Sequence, residues 1–346
     1  MDALLNVNWM YLLIAAFAGG AFGAAIGALP AFVFTGIMVI AGEAGGLSSV
    51  TDSLAFGAFF GPHVSFAGGA AAAAYAAKQG YMKSGFDFHE AKNITYALGP
   101  KTDVLVVGGL FGVLGAVIRQ ISAGFGLPWD PIAMGVVLSA LFHRLLLGYS
   151  LVGVVQGSGL FDMAPFERVE TRTSDTGTVP DHMKPATDRL AVEPWLPQQY
   201  KWSNVTALGL IVGLLGAYTA IETGSPFLAF GISAASLLFL NLGVEKFPVT
   251  HHMTLPASTI ALALVASGEG VEAGLISGVS EVTALIAGAL FGMICALFGE
   301  AFQRIFYAHG DTHWDPPAAG IVFGTFLIAL LHLVGVLGTT VWIPTP

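Results

Sequence analysis

The sequence predicts an all-α integral membrane protein of about ten transmembrane helices, built as two inverted five-helix repeats with broken or re-entrant helices among them. Three observations predict it: a chain nearly without charge, apolar stretches of membrane-crossing length, and motifs that recur in the same order in both halves. Of 346 residues, 55% are hydrophobic and 10% charged, and the mean hydropathy is +0.76. A water-facing surface normally needs about 25% charged residues, so most of this surface meets something else. Residues 9–42, 203–221, 223–244 and 316–346 contain no Asp, Glu, Lys or Arg. A helix crosses the hydrocarbon core with about 20 apolar residues.

The 45 glycines fit the same setting, because small residues let helix backbones approach closely in lipid. The net charge of −9 does not point to basic partners, since the acids fall mostly in loops and one polar connection. Cys295 is the only cysteine, which excludes a disulfide framework. No basic stretch precedes the first apolar run, so that run reads as a retained span and not as a signal peptide.

Apolar segments run over 9–29, 30–50, 64–80, 103–122 and 131–157, then 203–221, 226–243, 253–268, 282–300 and 316–340. The division is a first repeat over 1–157, a polar linker over 158–202 expected to be partly disordered, and a second repeat over 203–346. The uncharged run 9–42 is split at Gly27–Pro30, as the second repeat divides at Gly224–Pro226. A polar insert, 81–101, carries Phe86, Phe88, Ala91 and Ile94 in a pattern suited to a short interfacial helix.

The internal matches are ordered. Leu-Val-Val-Gly-Gly-Leu-Phe-Gly at 105–112 aligns with Leu-Ile-Ala-Gly-Ala-Leu-Phe-Gly at 285–292, and the Trp-Asp-Pro motif at 129–131 with that at 314–316. His63-Val-Ser65 aligns with His252-Met-Thr254, and Pro30 with Pro226. Five spans per copy is odd, so the second copy enters from the opposite side. Basic residues test this independently. Lys78, Lys83, Lys92, Lys101, Arg168, Arg172, Lys184, Arg189, Lys201, Lys246 and Arg304 all fall on one side, eleven of the 13. The positive-inside rule makes that side cytoplasmic, with both termini outside.

Candidate site residues follow from the repeats. His63 and His252 each open an apolar helix, followed by a hydroxyl, Ser65 or Thr254. Pro62 and Pro248 permit broken helices whose N-termini aim backbone N–H groups into the membrane, with 53–61 as the descending limb of a re-entrant segment. His143 and His332 lie within the fifth span of each copy, and Arg144 adjoins the first; intramembrane ionisable groups are costly and mark functional positions. Glu222 is a candidate proton or cation site. The Trp-Asp-Pro motifs read as helix caps with an interfacial Trp. His309, Asp311 and His313 form a minority metal site in a loop expected to be exposed.

No phosphate loop, nucleophile elbow or metalloprotease pattern is present at a convincing place, so no enzymatic activity is expected. The expected function is a secondary transporter, a permease for a small polar or anionic solute, coupled to protons or sodium and otherwise without cofactor. A passive channel, a membrane-embedded metal-dependent enzyme and a non-catalytic membrane subunit are the alternatives. The expected partners are the lipid bilayer, a small-molecule or ion substrate and further copies of the chain, with no nucleic acid. The expected location is the plasma or inner cell membrane.

Overall fold

The computed structural model describes residues 7–82, 86–172, 189–266, 274–276 and 278–346. Lys83 and Lys184, and the linker residues 173–188, lie outside the described residues. The chain is all-helical. Its long helices are α1 (Trp9–Ile26), α2 (Ala28–Ala44), α3 (Ser65–Lys78), α4 (Thr102–Gly124), α5 (Pro131–Leu147), α6 (Trp202–Thr223), α7 (Leu228–Asn241), α8 (His251–Val265), α9 (Glu281–Phe306) and α10 (Pro316–Leu333). Among the described residues, extended pairing is confined to one bridge, Thr171 with Leu190.

Five helices, α1, α4, α6, α9 and α10, are long and apolar enough to cross a membrane, and α2, α5 and α7 are shorter apolar helices. Large apolar side chains face outward: Met10, Tyr11 and Ile14 on α1, Ile211, Leu215 and Tyr218 on α6, Val282 and Ile286 on α9. Small residues face inward. Such inversion suits lipid, where no apolar surface needs hiding and close backbone packing holds helices together.

The uncharged run 9–42 is two helices. Gly27, at φ 96°, ends α1 and begins α2; an L side chain rarely adopts that backbone, so glycine makes the break possible. Asn8 caps α1 by accepting from the Tyr11 N–H (3.2 Å). Asp130 and Asp315 cap α5 and α10, accepting from the N–H groups of Ile132 (2.8 Å) and Ala318 (2.7 Å), with Pro next in each case. Both apolar fifth segments stop short of their expected ends, because Gly148 at φ 73° closes α5 and a turn at Gly335 follows α10.

Helix contacts repeat between the halves. α1 packs on α3 and α4, and α6 on α8 and α9; α4 packs on α5, and α9 on α10. One crossing in each half is glycine on glycine. A Cβ at Gly20 of α1 would sit 2.2 Å from the Gly108 carbonyl oxygen of α4, and one at Gly213 of α6 would sit 2.4 Å from that of Gly288 in α9. Between the halves, α2 packs on α7 and α5 on α10. Both pairs run antiparallel. Gly36 lies against Ala235 while Glu43 meets Ser225; Asp130 meets Thr325 while Arg144 meets Thr312.

Helices α3 and α8 have 14 and 15 residues. At 1.5 Å per residue a 14-residue helix is about 21 Å long, shorter than the ~30 Å hydrocarbon core. Nearly every residue of both is buried. The segment before α3 is a π-helical turn, Val50–Ala55, followed by irregular backbone whose Phe59 lies against Gly19, midway along α1. α3 therefore begins inside the bundle.

Two expectations change. The insert 81–101 holds no interfacial helix among its described residues, only the 3₁₀ turn Glu90–Lys92, because Lys92 turns inward to an ion pair with Glu193. The described parts of the linker are packed: Arg189, Ala191, Val192 and Glu193 are buried against the segment that follows α9.

Candidate functional site: a cavity between the halves

A cavity of about 750 Å³ lies between α2, α3 and α5 of the first half and α7, α8 and α10 of the second. Its middle is aromatic and apolar. Phe32 and Phe230 stand at 4.8 and 6.0 Å from the His251 ring, and Phe66 at 5.6 Å from that of His313. Around the start of α5 the wall carries Asp130, Arg119 and Asp52; around the start of α10 it carries Asp315, His313 and Tyr307, with Lys92 alongside. An apolar enclosure with a few polar groups is the usual form of a small-molecule site.

Two histidines on this wall have spare hydrogen-bonding capacity. His313 pairs through Nε2 with Asp315 Oδ1 at 3.0 Å, and its Nδ1 has no partner; His251 Nδ1 also has none. Buried polar atoms are almost always satisfied in folded proteins; His63, His143 and His252 also leave Nδ1 without a partner, but only His251 and His313 do so on the cavity wall.

The repeated histidines sit elsewhere. His63 is buried in the turn before α3, with its Cβ against Gly135 of α5 and its carbonyl against Gly115 of α4. His252 is placed likewise, against Gly299 of α9 and Gly320 of α10. His252 also meets the ring of Trp195 from the linker at 6.0 Å, and neither histidine lines the cavity. The wall takes Pro62 and His251 instead, the residues just before them. Ser65 donates to the Phe60 carbonyl (3.1 Å) and Thr254 to that of His251 (3.2 Å), so both hydroxyls serve their own turns.

His143 and Arg144 form a junction between the halves. His143 Nε2 lies 3.0 Å from Thr312 Oγ1; Arg144 donates from Nε to the same hydroxyl (2.8 Å), from Nη2 to the Thr312 carbonyl (2.8 Å), and from Nη1 to the Leu151 carbonyl. The guanidinium lies 4.9 Å over the Trp314 ring. Trp314 is accordingly buried, packed on Phe302 and Phe306, and not interfacial. His332 is only partly buried, its Nδ1 3.0 Å from the Leu337 carbonyl. Glu222 is exposed at the end of α6 and does not meet Arg144.

The His309–His313 loop is buried, not exposed, and its side chains diverge. His309 Nδ1 accepts from the Gln156 N–H and its Nε2 lies 3.2 Å from the Leu160 carbonyl. Asp311 pairs with Arg189 (2.7 Å) and Arg172 (3.4 Å), while His313 turns to Asp315. Among the described residues no three His, Cys, Asp or Glu side chains gather to hold a metal ion.

The ion pairs of this loop continue to the cavity wall. Glu193 accepts from Lys92 Nζ (2.6 Å), from the His89 N–H (3.1 Å) and from Arg189. Burial alone would raise the Glu193 and Asp311 carboxyls; Lys92 and Arg189 hold Glu193 below the usual carboxylate range, and Arg189 with its neighbours does the same for Asp311. Burial pushes the Lys92 ammonium down to about 7, with Glu193 opposing. Lys92 and Glu193 are 101 residues apart in sequence, and nothing local in either segment signals the pair.

Fold and cavity together define the class: an all-helical protein with five apolar helices of membrane-crossing length and a partly open cavity between its two halves, walled mainly by shorter helices. The chain belongs to a family of unknown function, DUF7973, whose model matches residues 2–346. No curated protein and no solved structure matches it.

Proposed function

We propose that this chain is a secondary transporter, a permease for a small polar or anionic solute, embedded in the plasma or inner cell membrane. It spans ten times, as inverted repeats over 1–157 and 203–346 joined by a cytoplasmic linker, with both termini outside. The observation that carries this reading is the position of the cavity. It is walled by α2 with α7 and α5 with α10, equivalent helices of the two halves that run antiparallel, and its polar groups cluster at the starts of α5 and α10. A site between inverted halves is exposed to either side when one half rocks against the other. The short buried helices α3 and α8, each starting inside the bundle, support the same plan.

The solute is held by the cavity wall: His251 and the His313–Asp315 pair with their free nitrogens, and Arg119 and Asp130 near the start of α5. His63 and His252 set the distance of α3 from α5 and of α8 from α10. The test is uptake by liposomes containing the purified protein, with a panel of small anions and polar metabolites under a proton or sodium gradient. Saturable, gradient-driven accumulation is expected. Ion currents far above carrier turnover would establish a channel instead, and absence of any flux across the panel would count against both.

A further inference from the structure

Counting back ten residues from the Trp of each Trp-Asp-Pro motif reaches an arginine in both halves, Arg119 on α4 and Arg304 on α9. The protein treats the two differently. Arg304 uses all three guanidinium nitrogens internally, donating to Glu300 (2.6 Å) and to the carbonyls of Phe161 (2.8 Å) and Tyr200 (3.0 Å), and it lies over the Trp202 ring (4.4 Å). Arg119 is half-buried on the cavity wall. Among the described residues its one hydrogen bond goes to Gln120, the next in sequence, and no carboxylate stands within ion-pair reach of it. Asp130 lies near but turns its carboxylate to the Ile132 N–H (2.8 Å). A guanidinium presents five donors in a planar fork that matches a carboxylate, and an ionisable group inside the membrane region marks a functional position.

The apolar part of the wall contains a continuous belt of rings. Phe66 packs on Phe32 (5.9 Å), Phe32 on Phe230 (5.9 Å), Phe230 on Phe56 (5.8 Å), Phe56 on Phe227 (5.1 Å) and Phe227 on Trp342 (5.3 Å), and all six line the cavity. Each half contributes three.

The antiparallel pair α5 and α10 sets the length. The Asp130 N–H donates to Thr325 (2.9 Å), ten residues along α10 from Asp315. At 1.5 Å per residue the polar groups at the two helix starts stand about 15 Å apart. A volume of about 750 Å³ is that of a site for a drug-sized molecule. A bare inorganic anion would leave the rings facing water, whereas an apolar body removes their surface from it.

We propose that the cavity binds a monocarboxylate with an aromatic body, its carboxylate on the Arg119 fork and its ring along the Phe66–Trp342 belt. Arg119 supplies charge-assisted hydrogen bonds at one end, and the belt supplies edge and face contacts to the ring. Of two arginines at one spacing, the protein satisfies Arg304 and leaves Arg119 to the ligand. That this ligand is also the transported solute rests on the transporter reading; its binding does not.

Equilibrium dialysis of the full chain in lipid nanodiscs against radiolabelled 4-phenylbutyrate, with empty nanodiscs subtracted, tests the site. Saturable binding is expected. Unlabelled competitors on the unaltered chain then read head and body separately. From phenylacetate to 4-phenylbutyrate, competition should strengthen about fourfold per added methylene. Acetate and 4-phenylbutanol should each be about tenfold or more weaker than 4-phenylbutyrate. Acetate competing as well as the aryl acids, the alcohol competing as well as the acid, or no saturable binding would each overturn the proposal. In Arg119→Gln, checked for folding by thermal unfolding, the preference for acid over alcohol should vanish. An undiminished preference there would show that Arg119 merely reaches for the interface, and would overturn the assignment of the head group. Binding without gradient-driven uptake would sink the transporter reading and leave the ligand class standing. Uptake of a different solute without aryl acid binding would do the reverse.

Discussion

Asp130 and Asp315 hold equivalent places at the starts of two antiparallel helices, and both face the same cavity. Each carboxylate accepts a backbone N–H of the first turn, as a capping Asp should. Capping and cavity lining are separable by substitution. Asn keeps an acceptor oxygen and removes the charge; Ala removes both. Asp130→Ala and Asp315→Ala should each cost about 1 kcal/mol, while the Asn variants stay within about 0.5 kcal/mol of the parent. Thermal unfolding in detergent reads the difference. Equal losses for Asn and Ala would show that the cap is not what the carboxylates contribute.

Gly20 and Gly213 test the helix crossings. A methyl group at either would meet a carbonyl oxygen of the partner helix, and backbone does not yield as a side chain does. Gly20→Ala and Gly213→Ala should each destabilise by roughly 1–3 kcal/mol, the usual cost of overpacking. Gly46, at φ 66° with open space around it, provides the control: Gly46→Asn should change stability little, since Asn tolerates that backbone. A melting temperature unmoved by the first two substitutions would contradict the close approach.

Arg144 is fully enclosed and spends its donors on Thr312 and Leu151. Lysine cannot reproduce that planar set of donors. Arg144→Lys should therefore fail to restore what Arg144→Ala loses, about 2–4 kcal/mol for several buried charge-assisted bonds. Limited proteolysis of the 307–315 segment and unfolding midpoints would read it. A fully stable lysine variant would show that charge alone suffices there.

The ion-pair cluster sets opposite responses to acid and alkali. The folded protein holds Glu193 and Asp311 below their ordinary 4.5 and 3.8. The stability they supply is complete above those values and is lost as pH falls through the lower folded ones. Lys92 is lowered from 10.5 to about 7, so across that window the unfolded chain holds a proton that the folded chain lacks. Stability should therefore rise with pH between them. Lys92→Met should flatten this alkaline rise and leave the acid limb, whereas Asp311→Asn should weaken the acid limb. Unfolding midpoints across the pH range give both limbs.

Much of the framework was legible because it is written locally. The division at Gly27, the two Trp-Asp-Pro caps and the repeated glycine crossings depend on neighbouring residues or on motifs that recur. The cavity wall was not. His252 aligned with His63 and drew attention, yet adjacent helical residues point about 100° apart. That rotation turns His252 towards Gly299 and Gly320 and leaves His251 on the wall. Lys92, Glu193 and Asp311 meet only through tertiary structure, in segments that read as polar loops. Low charge in the chain made each buried ion pair informative, but no spacing rule joined the partners.

The inverted plan has a topological consequence. If each half crosses the membrane five times, residues before α1 and after α10 lie on one side, and the linker with Lys201 lies on the other. The break at Gly27 is what this arithmetic needs, because it makes α2 a separate helix that can serve as a crossing of its own. With α1 and α2 as a single span, the first half would have even parity, and the linker would share a side with the N-terminus. Single cysteines at Asn8, Ser158 and Pro346 in a Cys295→Ala background separate the cases. Membrane-impermeant maleimide applied to intact cells should label Asn8→Cys and Pro346→Cys but reach Ser158→Cys only after the membrane is opened. Labelling of Asn8→Cys and Ser158→Cys from the same side would remove the odd parity and the inverted relation with it. The charge pattern predicts the same outcome from separate physics: with ten crossings, Lys78, Lys92, Lys101, Arg168, Arg189 and Lys201 would fall on the linker's side, which the positive-inside rule makes cytoplasmic.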